Sequence, residues 1–137
     1  MKRNATAVWE GSGKEGKGHL STTNNVLDNT PYSYVSRFEN GEGTNPEELL
    51  AAAHAGCFTM KLSFLLGAAG FTPEKLTTTC EITLEAGTIS HSHLKVIAKV
   101  PGVAEDAFKA IVADAEANCP VSKLFKAEIS SEFMLEA

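Results

Sequence analysis

The sequence carries no run of lysine or arginine, no low-complexity stretch, no internal repeat and no Pro/Gly/Ser-rich linker. With 12 basic against 17 acidic side chains and a net charge of −5, it lacks the basic footprint that nucleic acid or an anionic membrane would ask of a partner. Without a linker, the 137 residues are expected to form one domain, residues 1–137, large enough for its own core. The opening residues MKRNATAVWE are basic but lead into no apolar segment, so no secretory signal is expected and the chain is placed in the cytoplasm. There are only three cysteines and no CxxC pair, which argues against a structural zinc site. In a reducing compartment, a disulfide between them would point to catalysis before structure.

What the chain does have is a long apolar run with a thiol in its middle, Thr44-Asn45-Pro46-Glu47-Glu48-Leu49-Leu50-Ala51-Ala52-Ala53-His54-Ala55-Gly56-Cys57-Phe58, continuing to Phe71. Asn45 suits a helix N-cap, Pro46 the first helical position, and Glu48 the carboxylate position of a capping box. The run approaches the length of a membrane span, on the order of 20 residues. Gly56, Gly67 and Gly70 dilute it, however, and His54 and Lys61 carry polarity, so it reads as a core helix ended by Thr72-Pro73. A helix apolar on every side is expected to be buried on every side. One small domain can hardly wrap it, which points to a homodimer.

Alternation and turn residues predict strands over 5–10, 19–23 and 32–38, then 76–86 and 89–100 joined by a hairpin at Ala86-Gly87, and a last strand over 127–135. A glycine-bearing loop over 40–43 precedes the central helix. Pro101-Gly102 introduces an amphipathic helix over 104–118 with Ala107, Phe108, Ile111, Val112 and Ala115 inward, and a short helical turn follows Cys119-Pro120. The fold class expected is α+β, with antiparallel sheets around the long helix.

The three thiols differ. Cys80 lies on the apolar face of an alternating strand and reads as core filler. Cys119 precedes Pro120 and suits the N-cap of the turn after it; Cys119-Pro120-Val121-Ser122 resembles a thioredoxin CxxS half-motif but follows a helix rather than a strand. Cys57 needs an activator, because a thiol in apolar surroundings is normally inert. One candidate is His54, three residues earlier on the same helix. The other is Arg37, which strand alternation puts beside Val35; if that face is the core face, Arg37 is a buried cation in need of a partner. His91-x-His93 on one strand face could ligate a metal but reads as solvated.

The string "GTNPEELLAAAHAGCF" (residues 43–58), with "SRFENG" upstream and "NCPVSK" downstream, resembles the osmotically inducible protein C / organic hydroperoxide resistance family over essentially the whole chain. "WEG" at Trp9 and "VPGV" around Pro101 extend the resemblance, and the longer N-terminal strands favour the osmotically inducible branch. The resemblance implies a thiol-dependent peroxidase with Cys57 as the peroxidatic thiol and Cys119 as the resolving one. Arg37 would hold the Cys57 thiolate and Glu47 would fix Arg37 by an ion pair. It also implies an intertwined α+β homodimer with sites at the interface, organic hydroperoxide as substrate, and lipoylated proteins or other small dithiols as reductant. No cofactor and no metal enter. His54 becomes a packing residue. The competing reading is a family-like protein that binds an apolar ligand or performs other thiol chemistry.

The helix itself adds a geometric expectation. Glu47 and Cys57, ten residues apart, stand about 15 Å apart along an unbroken axis. Either the helix breaks near Gly56, or the Glu47 serving each thiol comes from a second subunit, and the second reading is the favoured one.

Overall fold

The structure, a computed structural model, describes residues 1–38 and 42–137, without the side chain of Phe38. The loop expected over 40–43 therefore lies partly outside the described residues. Two compact units are present, Met1–Leu49 and Leu50–Ala137.

The first unit is a three-stranded antiparallel sheet, β1 (Ala5–Glu10), β2 (Lys17–Thr22) and β3 (Thr30–Tyr32), in that order. Trp9, Gly18 and Tyr32 are register partners across it. The two rings close over the glycine at 5.4 Å, where any Cβ would meet both. All six residues of β1 are exposed, so this sheet builds little core of its own.

The strand expected over 32–38 ends at Tyr32, and helix α1 (Tyr34–Phe38) follows instead. Ser33 explains the switch. The Ser36 N–H donates to Ser33 Oγ at 3.2 Å, and the Ser33 N–H donates to Ser36 Oγ at 2.7 Å. This reciprocal capping box starts a helix that alternation alone does not reveal. Gly43 then takes φ +91°, and a side chain there would collide with the Pro31 carbonyl, which accepts from the Thr44 N–H at 3.0 Å.

Helix α2 (Pro46–Ala68) begins in this unit and runs unbroken through Gly56 into the second. Asn45 caps it as expected, accepting from the Glu48 N–H at 2.8 Å. The Glu48 carboxylate accepts from the Thr44 hydroxyl rather than closing the capping box. The helix ends at Ala68, well before Pro73. Gly70 at φ +92°, with Phe71 N–H donating to Leu66 O and Gly70 N–H to Gly67 O, forms a Schellman motif.

In the second unit β4 (Lys75–Glu85) and β5 (Thr88–Lys99) form the expected hairpin, with Ala86 and Gly87 both at positive φ. After α3 (Glu105–Asn118) and α4 (Pro120–Leu124), β6 (Glu128–Glu136) joins β5 in parallel, so this sheet is mixed rather than antiparallel. The two helices between β5 and β6 supply the crossover that a parallel pair needs. Ser92, Leu94, Val96 and Ala98 on one face of β5 are buried, with Leu94, Val96 and Ala98 in a core shared by Phe58, Leu62 and Leu66 of α2 and Phe108, Val112 and Ala115 of α3. Ala107 faces solvent, contrary to the helical pattern expected.

Nor is α2 buried on every side. Only His54, Phe58, Leu62 and Leu66 are buried, a single i, i+4 stripe, while Met60 is 65% and Phe64 72% exposed. By length and composition alone α2 could cross a membrane.

Candidate active site

The sequence-predicted residues fall into two pairs. In the first unit, Arg37 Nε donates to Glu47 Oε1 at 2.8 Å. Arg37 sits in the last turn of α1, one turn past the Ser33 cap, and Glu47 in the first turn of α2. Asn45 links the two helix ends, its Nδ2 donating to Ser36 O at 3.0 Å. The Arg37 side chain is 41% exposed and that of Glu47 12%, so Arg37 is not the buried cation that a strand reading suggested. Glu47 Oε2 is buried with no hydrogen-bond partner among the described residues. A cavity of about 120 Å³ beside Arg37 is lined by Trp9, Tyr32, Tyr34 and Pro46.

In the second unit, Cys57 of α2 and Cys119 at the start of α4 are close enough for each thiol to act on the other's ionisation. The Val121 N–H faces the Cys57 sulfur and favours its charged form. Burial pushes the Cys57 thiol above the ordinary cysteine value, and the Cys119 thiol adds to that; the Val121 N–H and the Lys61 ammonium pull the other way. Cys57 is therefore not ionised by its own surroundings in this unit. A shallow, almost wholly apolar cavity of about 190 Å³ opens at the sulfur, lined by Met60, Lys61, Phe64 and Pro120. Phe58, next in sequence, points into the core and takes no part.

Cys119 is buried and caps α4 as its position before Pro120 suggested, accepting from the Ser122 N–H at 3.3 Å. Its sulfur also lies 3.0 Å from Ser122 Oγ. Ser122 Oγ is in turn 2.7 Å from His54 Nε2, and His54 Nδ1 is 2.6 Å from Ser92 Oγ. Ser92 and Ser122 went unnoticed in the sequence; the CxxS string contained the signal for Ser122. Cys80 faces inward from β4 and contacts Ser92 Oγ at 3.2 Å, with its thiol pushed up chiefly by burial, as suits an unreactive thiol.

His91 and His93 are partly exposed, as expected, and are also hydrogen-bonded. Both contact Ser130 Oγ on β6, at 2.7 and 2.6 Å, and His93 Nε2 reaches Glu132 Oε2 at 2.9 Å. Among the described residues no group of three or more His, Cys, Asp or Glu side chains is arranged to hold a metal.

Comparison with known proteins bears on this geometry. Residues 39–133 match the model of a family described as OsmC-like protein. Over 141 aligned positions the chain is 46% identical to peroxiredoxin OsmC of Escherichia coli, covering 100% of this chain and 99% of that one; the protein of the same name from Shigella flexneri matches equally. Among solved structures, an OsmC-like protein from Mycoplasma pneumoniae is similar with a TM-score of 0.77 at 15% identity, covering 100% of this chain and 99% of that one. An organic hydroperoxide resistance protein from Elizabethkingia anophelis is similar with a TM-score of 0.72 at 24% identity, covering 99% and 96%. At such identities these two speak for the fold alone.

Proposed function

The chain belongs to the family of OsmC-like proteins and is a cysteine-based peroxidase; we propose that it reduces organic hydroperoxides at Cys57 and Cys119, with Arg37 and Glu47 setting the charge at the nucleophile. The observation that carries this reading is that Cys57 opens on an apolar cavity with the buried Cys119 thiol close behind it. The Cys57 thiolate attacks the distal peroxide oxygen and the O–O bond breaks. Sulfur is oxidised to sulfenic acid, and the departing alkoxide takes a proton and leaves as alcohol. The Cys119 thiol then attacks the Cys57 sulfur, forming a disulfide and expelling water before further oxidation can occur. A dithiol, with lipoylated proteins as one class, returns both cysteines to thiols. Met60, Phe64 and Pro120 around the sulfur suit a substrate with an organic group.

Attack needs thiolate, and the immediate surroundings of Cys57 oppose it. A guanidinium supplies both positive charge and N–H donors for the leaving alkoxide, and Glu47 holds one in place. Since α2 does not break at Gly56, the pair serving each Cys57 comes from a second copy of the chain. Val8 and Trp9 of β1, each partly exposed, and the more exposed Met60 and Phe64 supply apolar surface for such a homodimer. A second copy rather than lipid then covers α2, and the peroxidase works as one domain in the cytoplasm.

Reduced protein is to be mixed with tert-butyl hydroperoxide, followed by peroxide determination and peptide mapping. Consumption of peroxide with a Cys57–Cys119 disulfide is expected. No consumption, or a disulfide involving Cys80, refutes the reading and leaves a binding protein.

A further inference from the structure

His54 is completely buried, yet both ring nitrogens are partnered, each by a hydroxyl that also touches a thiol. The result is a continuous line from Cys119 through Ser122, His54 and Ser92 to Cys80. Burying a polar ring is costly unless its nitrogens are satisfied, and an apolar side chain could fill the space without that demand. We infer that His54, acting through the Ser122 hydroxyl, receives the proton of Cys119 as that thiol closes the disulfide with Cys57. This rests on the two-thiol cycle proposed above.

The hydrogen bonds can all be ordered for this task. With Nδ1–H donating to Ser92 Oγ, Nε2 accepts from the Ser122 hydroxyl, whose oxygen accepts from the Cys119 S–H. As Cys119 attacks, its proton moves to Ser122 Oγ and the hydroxyl's own proton moves to Nε2. The hydroxyl then points back at the developing thiolate, which also accepts from the Ser122 N–H. The new S–S bond forms as the Cys57 S–O bond breaks. Cys119 sulfur is oxidised and Cys57 sulfur reduced by one electron each. Hydroxide leaves and takes a proton from solvent to become water, while the proton from Cys119 stays on His54, which carries the charge until reduction. When a dithiol later opens the disulfide, the same line returns a proton to Cys119.

The environment of the ring agrees. Burial lowers its pKa below the ordinary histidine value, so it is neutral and able to accept at physiological pH. The titratable groups facing it are Cys80 from β4, 3.9 Å from Nδ1, and Cys119 through Ser122; Phe125 after α4 packs edge-on at 5.0 Å. Among the described residues no carboxylate pairs with it to fix a permanent charge.

The test separates the two chemical steps. Pre-reduced protein is mixed with one equivalent of tert-butyl hydroperoxide and quenched in time, with sulfenic acid trapped and disulfide counted by mass spectrometry. In Ser122→Ala and in His54→Gln, sulfenic acid should form at the wild-type rate while disulfide forms about 100-fold more slowly at pH 7, the scale of a lost general base. Wild-type closure should be level through neutral pH and fall as pH drops through the depressed histidine pKa. In the variants it should climb about tenfold per pH unit, as for an unassisted thiol. Ser122→Thr, which keeps the hydroxyl, should recover the level profile. A merely structural role would lower the rate without changing that slope. Equal closure rates and profiles in wild type and variants overturn the inference. So does a solvent deuterium isotope effect near one on wild-type closure, a measurement that needs no variant. Absence of the disulfide in the wild type would instead defeat the two-thiol cycle itself.

Discussion

Arg37→Ala probes the electrostatics that the peroxidase reading demands. An ordinary cysteine ionises near pH 8.5, and burial pushes Cys57 higher. For half ionisation at pH 7 even an ordinary cysteine needs about 2 kcal/mol of preferential stabilisation of the thiolate, and a buried one needs more. A guanidinium about 4 Å from the sulfur supplies about 4 kcal/mol at an effective dielectric constant of about 20, so one arginine suffices. Removing it should move the midpoint of Cys57 alkylation upward from near neutrality, past the ordinary cysteine value, because burial then acts unopposed. At pH 7 the thiolate fraction should then fall roughly 15-fold. A more basic thiolate is also a better nucleophile, which recovers part of the rate, so the midpoint rather than the rate at one pH is the quantity to measure. Stopped-flow alkylation from pH 5 to 10, with Cys80 and Cys119 replaced by serine, gives it directly. Arg37→Lys should keep much of the midpoint shift yet lose most peroxidase activity, because an ammonium cannot reproduce the planar fork that engages Glu47 while facing the sulfur. Superimposable profiles for wild type and Arg37→Ala would show that Arg37 is not the activator.

The thiol variants should fail differently: Cys57→Ser abolishes peroxide consumption, Cys119→Ser reacts once and then accumulates sulfenic and higher oxides at Cys57, and Cys80→Ser stays active, all visible by mass spectrometry. A mixed dimer of a Cys57→Ser chain with a Glu47→Ala chain should recover about half the wild-type activity if Glu47 acts across the interface. Activity no better than either parent dimer would place it in the same chain. Phe64→Glu, which puts charge on the exposed face of α2 beside Cys57, should shift the protein toward monomer in sedimentation and lower activity with it; an active monomer would contradict the shared site. Leu62→Ala, within the buried stripe of α2, should cost about 2–5 kcal/mol in denaturant unfolding.

Local chemistry made much of this protein legible in advance. Asn45 and Pro46 announce the start of α2, and the alternation of Leu76, Thr78, Cys80, Ile82 and Leu84 announces β4, because caps and two-residue periodicity act through neighbours in sequence. The motif around Cys57 singled out Cys57, Cys119, Arg37 and Glu47. Sequence alone misplaced Arg37 on a strand, since two serines capping each other are a stronger instruction than alternation over a few residues. It also made α2 uniformly buried and the second sheet uniformly antiparallel. Hydropathy counts apolar side chains without saying which face meets a core, and strand direction follows from the path of the intervening chain. The pairing of His54 with Ser92 and Ser122, 38 and 68 residues away, could come only from tertiary structure. Nothing in a neighbouring residue constrains a hydrogen bond that distant until the sheet and α4 are packed against α2.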